Sequence, residues 1–270
     1  MDHKTEVSKG LRFKFGHNWS KFLKIMNPKR IETAQNSLIE MFETNNFRNK
    51  SFLDAGSGSG LFSLAAHKLG ANVHSFDYDP KSVACTRELK EKYGNNEVKW
   101  QIEEGSVVEN NYMSRIGKFD FVYCWGVLHH TGEMYSGLEN ISNVVDDNGK
   151  LFIAIYNDQG WISRYWLIIK KLYNKNILFK AIIIAVHFPY LYCLRFSVRF
   201  LSGRLSIERG MSLWFDMLDW LGGYPFEVAK PEELVSFFKT KGFNLDALRT
   251  SGGRHGCNEF VFQKSNRISN

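Results

Sequence analysis

Several familiar organising features are absent from this sequence. Its four cysteines, Cys85, Cys124, Cys193 and Cys257, include no CxxC pair and no histidine at ligand spacing. That pattern argues against a zinc site or a disulfide frame, and for reduced thiols in a cytoplasmic protein. The opening Met1-Asp2-His3-Lys4 is polar and lacks an apolar stretch with a small-residue cleavage site, which predicts no signal peptide. There is no internal repeat, low-complexity stretch or disorder-like tract. Acids are scarce in one region. Between residues 156 and 210, nine Lys/Arg stand against only Asp158 and Glu208. That local excess matches the net charge of +7 for the whole chain, so the remainder is balanced.

What is present suffices for a large core. The chain has 270 residues, 44% of them hydrophobic and 15% aromatic, and α/β folds of this size often form one unit. Residues 1–48 read as a helical N-terminal cap, with an apolar period through Ile31, Ala34, Leu38, Met41 and Phe42. From 49 to 155, short apolar runs alternate with helical stretches. Strands are predicted at 51–53, 73–76, 98–102, 119–124 and 151–155, with helices at 61–69, 80–93 and 134–145 between them. Asp79 is placed to cap the second of these helices, with Pro80 in its first turn. Such alternation predicts a mostly parallel sheet covered on both faces. The pattern breaks at Tyr156, where a helical, aromatic and basic insertion runs to 224. Residues 225–270 return to order, with a helix from Pro231 to about Lys241 and strands near 243–248 and 258–262 that can complete the sheet.

Asp54-Ala55-Gly56-Ser57-Gly58-Ser59-Gly60 follows a strand and precedes a helix. Glycines there allow a tight turn and a close approach of backbone to ligand. A dinucleotide fingerprint needs a third glycine where Leu61 stands, and a phosphate loop needs a Lys-Ser/Thr pair that is missing. An acid two residues before the first glycine suits a cationic ligand, such as an amino acid ammonium, better than a pyrophosphate. A second acid, Asp77, ends the next strand, where a carboxylate can accept both ribose hydroxyls. Tyr78 beside it could pack on an adenine face.

With these residues, the chain resembles the class I S-adenosylmethionine-dependent methyltransferases over about residues 50–156, with a family-like ending after Pro231. The resemblance implies a Rossmann-like, seven-stranded, mostly parallel sheet with helices on both faces and a helical lid insertion. It implies S-adenosylmethionine as cofactor, held by Asp54, Gly56, Ser57, Gly58, Gly60, Asp77 and Tyr78. The motif after strand three matches Glu104-Gly105-Ser106-Val107, with Ser106 where the family often has an Asp that holds the adenine amino group. Strand four and its loop match Phe119 to His130, which puts Cys124 and Trp125 beside the methionine end. Lead-in helices of this kind often cap the site, so Trp19 could fold over the cofactor or simply pack on the core.

A hydroxyl acceptor of the methyl group usually needs a base, and His129 and His130 are the candidates near the strand ends. Tyr156 and Asn157 after strand five, and His255 in a glycine-rich loop, are candidate acceptor contacts. No metal site is expected. The Asn/Asp-Pro-Pro-Tyr/Phe motif of amino-methylating DNA enzymes is absent, since Cys124-Trp125-Gly126-Val127 occupies its place. With no separate RNA-binding module either, nucleic acid is disfavoured, and an RNA or protein acceptor is a lesser alternative. The insertion, with Tyr156-Asn157-Asp158-Gln159-Gly160-Trp161, resembles a bacterial subgroup that acts on envelope sugars, lipids or secondary metabolites. The expectation is methylation, at oxygen, of a small-molecule or lipid-linked acceptor. Residues 177–194 are nearly continuously apolar but marginal in length for a bilayer span. They read as a buried lid helix or as one lying on the inner membrane face. The alternative from another class is a non-catalytic membrane-surface binding protein that keeps the pocket.

Overall fold

The alternation of strand and helix along the chain supplies seven strands. In a computed structural model that describes residues 2–95, 97–194, 197, 213–252 and 256–265, they form one sheet. The strands are β1 (Ser51–Ala55), β2 (Asn72–Asp77), β3 (Trp100–Glu104), β4 (Phe119–Trp125), β5 (Val145–Tyr156), β6 (Phe243–Arg249) and β7 (Cys257–Lys264). Their order is β3-β2-β1-β4-β5-β7-β6. The first five run parallel, and β7 enters antiparallel between β5 and β6. The order reverses at β1, so the ends of β1 and β4 open a crevice of the kind that binds ligands in such sheets. The seven-stranded, mostly parallel sheet expected from the sequence is what the chain adopts.

Strand alternation sorts the core into two layers. Leu53, Ala55, Val122 and Cys124 face one side, against α6 (Asn110–Arg115), α7 (Met134–Asn143) and α11 (Pro231–Thr240). Phe52, Phe121, Tyr123 and Phe152 face the other side, against α3 (Pro28–Phe42), α4 (Leu61–Lys68) and α5 (Pro80–Tyr93). Phe42 and Phe47 wedge among these rings at centroid distances of 4.9–6.4 Å. Asp79 caps α5 by accepting from Lys81 N, as its position before Pro80 predicts. Two differences from the sequence reading have local causes. β5 begins at Val145 because that residue pairs with Phe119 before a turn at Asn148, φ 61°. The six-residue α6 was not foreseen, being too short to show a period.

The N-terminal cap is three helices: α1 (His3–Ser8), α2 (Phe15–Leu23) and α3. The insertion supplies α8 (Trp161–Tyr173), α9 (Ile177–Phe188), a π-helical turn (Pro189–Leu194) and α10 (Leu213–Gly222). Its buried side chains, Trp166, Tyr173, Ile183, Leu191, Met217 and Leu221, make a third cluster closed by Phe13 and Phe226. Among the described residues, no helix is long and apolar enough to cross a membrane.

Candidate functional site

The parallel strands deliver their C-terminal ends to one edge, and the residues singled out by sequence gather there. The loop after β1 hangs from β2 by Gly56 N and Ser57 N, which both donate to Phe76 O (2.8 and 3.0 Å). Gly58 N donates to the Asp77 carboxylate (Oδ2, 2.9 Å), whose Oδ1 accepts from Asp79 N (2.8 Å). A glycine is required twice over at two of these positions. At Gly56 (φ 81°) a Cβ would stand 2.4 Å from Val127 Cγ2. At Gly58 (φ 57°) it would stand 3.0 Å from the Trp19 indole, which lies over the loop. Ser57 is buried, its hydroxyl 3.0 Å from Thr86 Oγ1.

Asp54 is buried and Asp77 half-buried, and neither has a basic partner within ion-pair distance among the described residues. Burial pushes the Asp77 carboxyl up to about 6, against the pull of the N–H groups of Asp79 and Gly58. Asp54 is pushed up to about 7 by burial, which outweighs its hydrogen bond from Ser63. Its Oδ2 accepts from Ser63 Oγ, and Ser63 accepts in turn from Ser75. Asp54 therefore sits beneath the loop, with this oxygen turned to α4 rather than to a ligand.

At the ends of β2 and β3, Tyr78, Pro80, Gly105 and Ser106 line a cavity of about 440 Å³, roofed by Asp2 and His3 of the N-terminal cap. His3 meets the Tyr78 ring edge-on at 5.4 Å, and the Arg12 guanidinium lies 4.9 Å from that ring. Val107 is buried behind this cavity, in the core. A second cavity of about 410 Å³ opens at the opposite ends of the strands. Its cations, Lys50 and Lys150, already face Asp120 and Asp246, which leaves little charge for a ligand.

The end of β4 departs from expectation. Strand alternation turns the Cys124 side chain into the core, where burial raises its thiol well above the usual range. Only its backbone can reach a ligand. Trp125 reaches across the sheet to donate to Glu259 Oε1 (2.9 Å).

His129 and His130 lie on a single 3₁₀ turn (Leu128–His130), and both are buried. His130 Nδ1 is 2.7 Å from Pro225 O. A carbonyl only accepts, so Nδ1 carries the proton and Nε2 presents a lone pair. His129 has the opposite tautomer. Its Nδ1 accepts from Tyr156 N (3.3 Å), so Nε2 carries the proton, and Nε2 has no hydrogen-bond partner among the described residues. Burial holds both imidazoles neutral. His130 is pushed down to about 3, and His129 well below the usual imidazole value. The Tyr156 ring lies 3.8 Å from that of His129. Asn157 is engaged elsewhere, its Oδ1 accepting from Asn258 Nδ2 (2.9 Å). His255 lies outside the described residues.

Two residues that matter here were not singled out by sequence. Arg12 donates to His130 O (2.8 Å) and Thr131 O (3.4 Å), tying the N-terminal cap to the histidine turn. Lys170, which the sequence places in the insertion's pattern without a role at the site, is fully buried beside Tyr156. Both positions are set by partners far away in sequence, so no local motif marks them.

Residues 53–151 match the model of a methyltransferase domain. The ubiquinone biosynthesis O-methyltransferase of Glaesserella parasuis is 28% identical over 133 residues, 49% of this chain and 54% of that protein. That of Colwellia psychrerythraea is 30% identical over 138 residues, with the same two coverages. The chain thus spans about half the length of the curated relatives it matches. Among solved structures, magnesium protoporphyrin IX methyltransferase from Synechocystis PCC 6803, with bound SAH, superposes with a TM-score of 0.56 at 14% identity. That likeness covers 92% of this chain and 94% of the other, and it establishes a shared fold.

Proposed function

We propose that this chain transfers a methyl group from S-adenosylmethionine to an oxygen of a small or lipid-linked acceptor. The observation that carries the reading is the clamp of Asp77 on Gly58, in a loop whose glycines admit no Cβ. When bound, S-adenosylmethionine supplies a methyl carbon already activated by its sulfonium. The residues present fit it. Asp77 accepts from the backbone N–H groups of Gly58 and Asp79, and a carboxylate with about four lone-pair sites can also accept the ribose hydroxyls. Tyr78 and Ser106 line a cavity of about 440 Å³ for the adenine, within the usual size of about 300–1,000 Å³ for ligand pockets. Gly56 to Gly60 and the Cys124 backbone would hold the methionine end, and Trp19 would keep water from it.

On the acceptor side, the opposite tautomers of the histidine turn present one donor, His129 Nε2–H, and one acceptor, His130 Nε2. A hydroxyl needs this pair. His130 can take its hydrogen bond and orient the oxygen, while Tyr156 shapes the wall. Alignment and exclusion of water are the main demands of such a displacement. The O-methyltransferases it is similar to support oxygen as the accepting atom.

Calorimetry tests the reading. SAM and SAH should both bind, and NAD should not. Tight NAD binding with no response to either sulfur compound would overturn it.

An accompanying reading concerns the surface. On α8 and α9, Trp161, Ile168, Ile177, Leu178, Ile182 and Val186 are exposed by 49–78%. No acid occurs between residues 159 and 194. An apolar face edged by Lys171 and Lys175 suits the surface of an anionic bilayer.

A further inference from the structure

The insertion buries a cation with no salt-bridge partner among the described residues. Lys170, on α8, is 0% exposed. Its Nζ donates to Trp220 O at the C-terminal end of α10. Around it stand the rings of Trp220 (4.5 Å), Phe226 (4.9 Å) and Tyr156 (5.5 Å). Among the described residues, no carboxylate lies within ion-pair distance of Nζ. Asp219, on α10, is close enough to act through space, but it accepts from Asn18 Nδ2 (2.6 Å). The other titratable groups facing Lys170 are Cys257 on β7, His129 and His130 on their turn, and Tyr156. None of these supplies a fixed negative charge.

A second group points the same way. The Tyr156 ring that borders Lys170 lies tilted over His129, whose Nε2–H is buried and unpartnered among the described residues. A buried donor without a partner and a buried ammonium without an ion-pair partner are both costly. A single ligand oxygen with negative charge would satisfy both, and three aromatic walls would receive the ring that bears it.

We propose that Lys170 and His129 form the anion-binding end of the acceptor pocket, and that the acceptor is an aromatic compound carrying an anionic oxygen such as a carboxylate. This rests on the methyl-transfer reading, which places an acceptor beneath the insertion. Burial agrees with it, pushing the lone amine down to about 7. Binding an anion must therefore draw a proton onto Nζ at alkaline pH.

The experiment uses the full chain saturated with SAH, so loss of SAH binding would be seen separately as failure of the methyl-transfer reading. Benzoate and its neutral counterpart benzamide are titrated by calorimetry in buffers of different ionisation enthalpy. Benzoate should bind more tightly than benzamide at neutral pH. Above about pH 7 its affinity should fall about tenfold per pH unit, with uptake approaching one proton per benzoate. Benzamide should show neither effect. Lys170→Gln keeps a donor for Trp220 O and removes the charge. It should bind both probes equally, with no proton uptake, and Lys170→Met provides a second uncharged variant should that one misfold. Benzoate that fails to bind the SAH complex, or binds no better than benzamide, overturns the proposal. Proton uptake that persists in the folded variants overturns it too.

Discussion

The two halves of the site solve the problem of buried charge in opposite ways. In the cofactor half, the buried Asp54 and the half-buried Asp77 are acids held by hydroxyl and backbone donors from adjacent elements: Ser63, Gly58 and Asp79. In the insertion, Lys170 is a buried base held by one carbonyl and a ring of aromatic faces. The first is built from donors on the loop, the helix and the turn that directly follow β1 and β2. The second depends on packing between segments about fifty residues apart, and it leaves unused capacity for a ligand. A shared framework with a variable cover is what a fold needs to serve many acceptors.

The comparison would break most severely at Gly56. Valine there must adopt φ 81° and collide with Val127 at 2.4 Å. Backbone strain and overpacking together cost about 4 kcal/mol, so SAH affinity should fall roughly a thousandfold. Circular dichroism confirms that the variant is folded, and calorimetry reads the affinity. A folded Gly56→Val chain that binds SAH within about threefold of wild type would deny the loop its role as clamp.

The next largest effect distinguishes the halves by pH. Asp54 sits at about 7 in the fold against 3.8 for the free side chain. A raised acid leaves stability intact below the unfolded value and loses it as pH rises through the folded one. Lys170 sits at about 7 against 10.5. A lowered base has the reverse sign: its burial penalty is present below about 7 and disappears as pH rises toward 10.5. Urea unfolding should therefore show stability falling between about pH 4 and 7 because of the acids, then recovering above pH 7 because of the lysine. Asp54→Asn should remove about 4 kcal/mol of the fall and leave the alkaline recovery unchanged. A variant with the full acidic slope would place the penalty elsewhere.

The same contrast decides what could be read from the sequence. The glycine loop, Asp77 and Tyr78 are legible because they are consecutive or one strand apart, and glycine positions follow from local backbone demands. The mostly parallel sheet follows from strand–helix alternation. Cys124 was assigned to the pocket by its place in a motif, but the two-residue strand period puts it on the same face as Val122 and in the core. The tautomer of His130 depends on Pro225, 95 residues on, and its turn is tied down by Arg12, 118 residues before it. Lys170 draws its surroundings from Tyr156, Trp220 and Phe226. No window of the sequence contains any of these groupings.

The smallest expected effect concerns the outside of the insertion. If α8 and α9 lie on a bilayer, the apolar side chains supply contact and the lysines supply attraction to anionic lipid. Each Lys near such a surface contributes about 1 kcal/mol, so Lys171→Ala with Lys175→Ala should weaken partitioning by about 2 kcal/mol, roughly thirtyfold. Flotation is measured on vesicles of phosphatidylserine and phosphatidylcholine in equal parts, with phosphatidylcholine alone as control. Both substituted positions are exposed, so stability and SAH affinity should scarcely move. That separation is the informative part, because a loss of SAH affinity in the same variant would mean that the outer face and the pocket are coupled. Wild type that does not float on the anionic vesicles would remove the membrane reading and leave the buried face, with Lys170, as the functional side of the insertion.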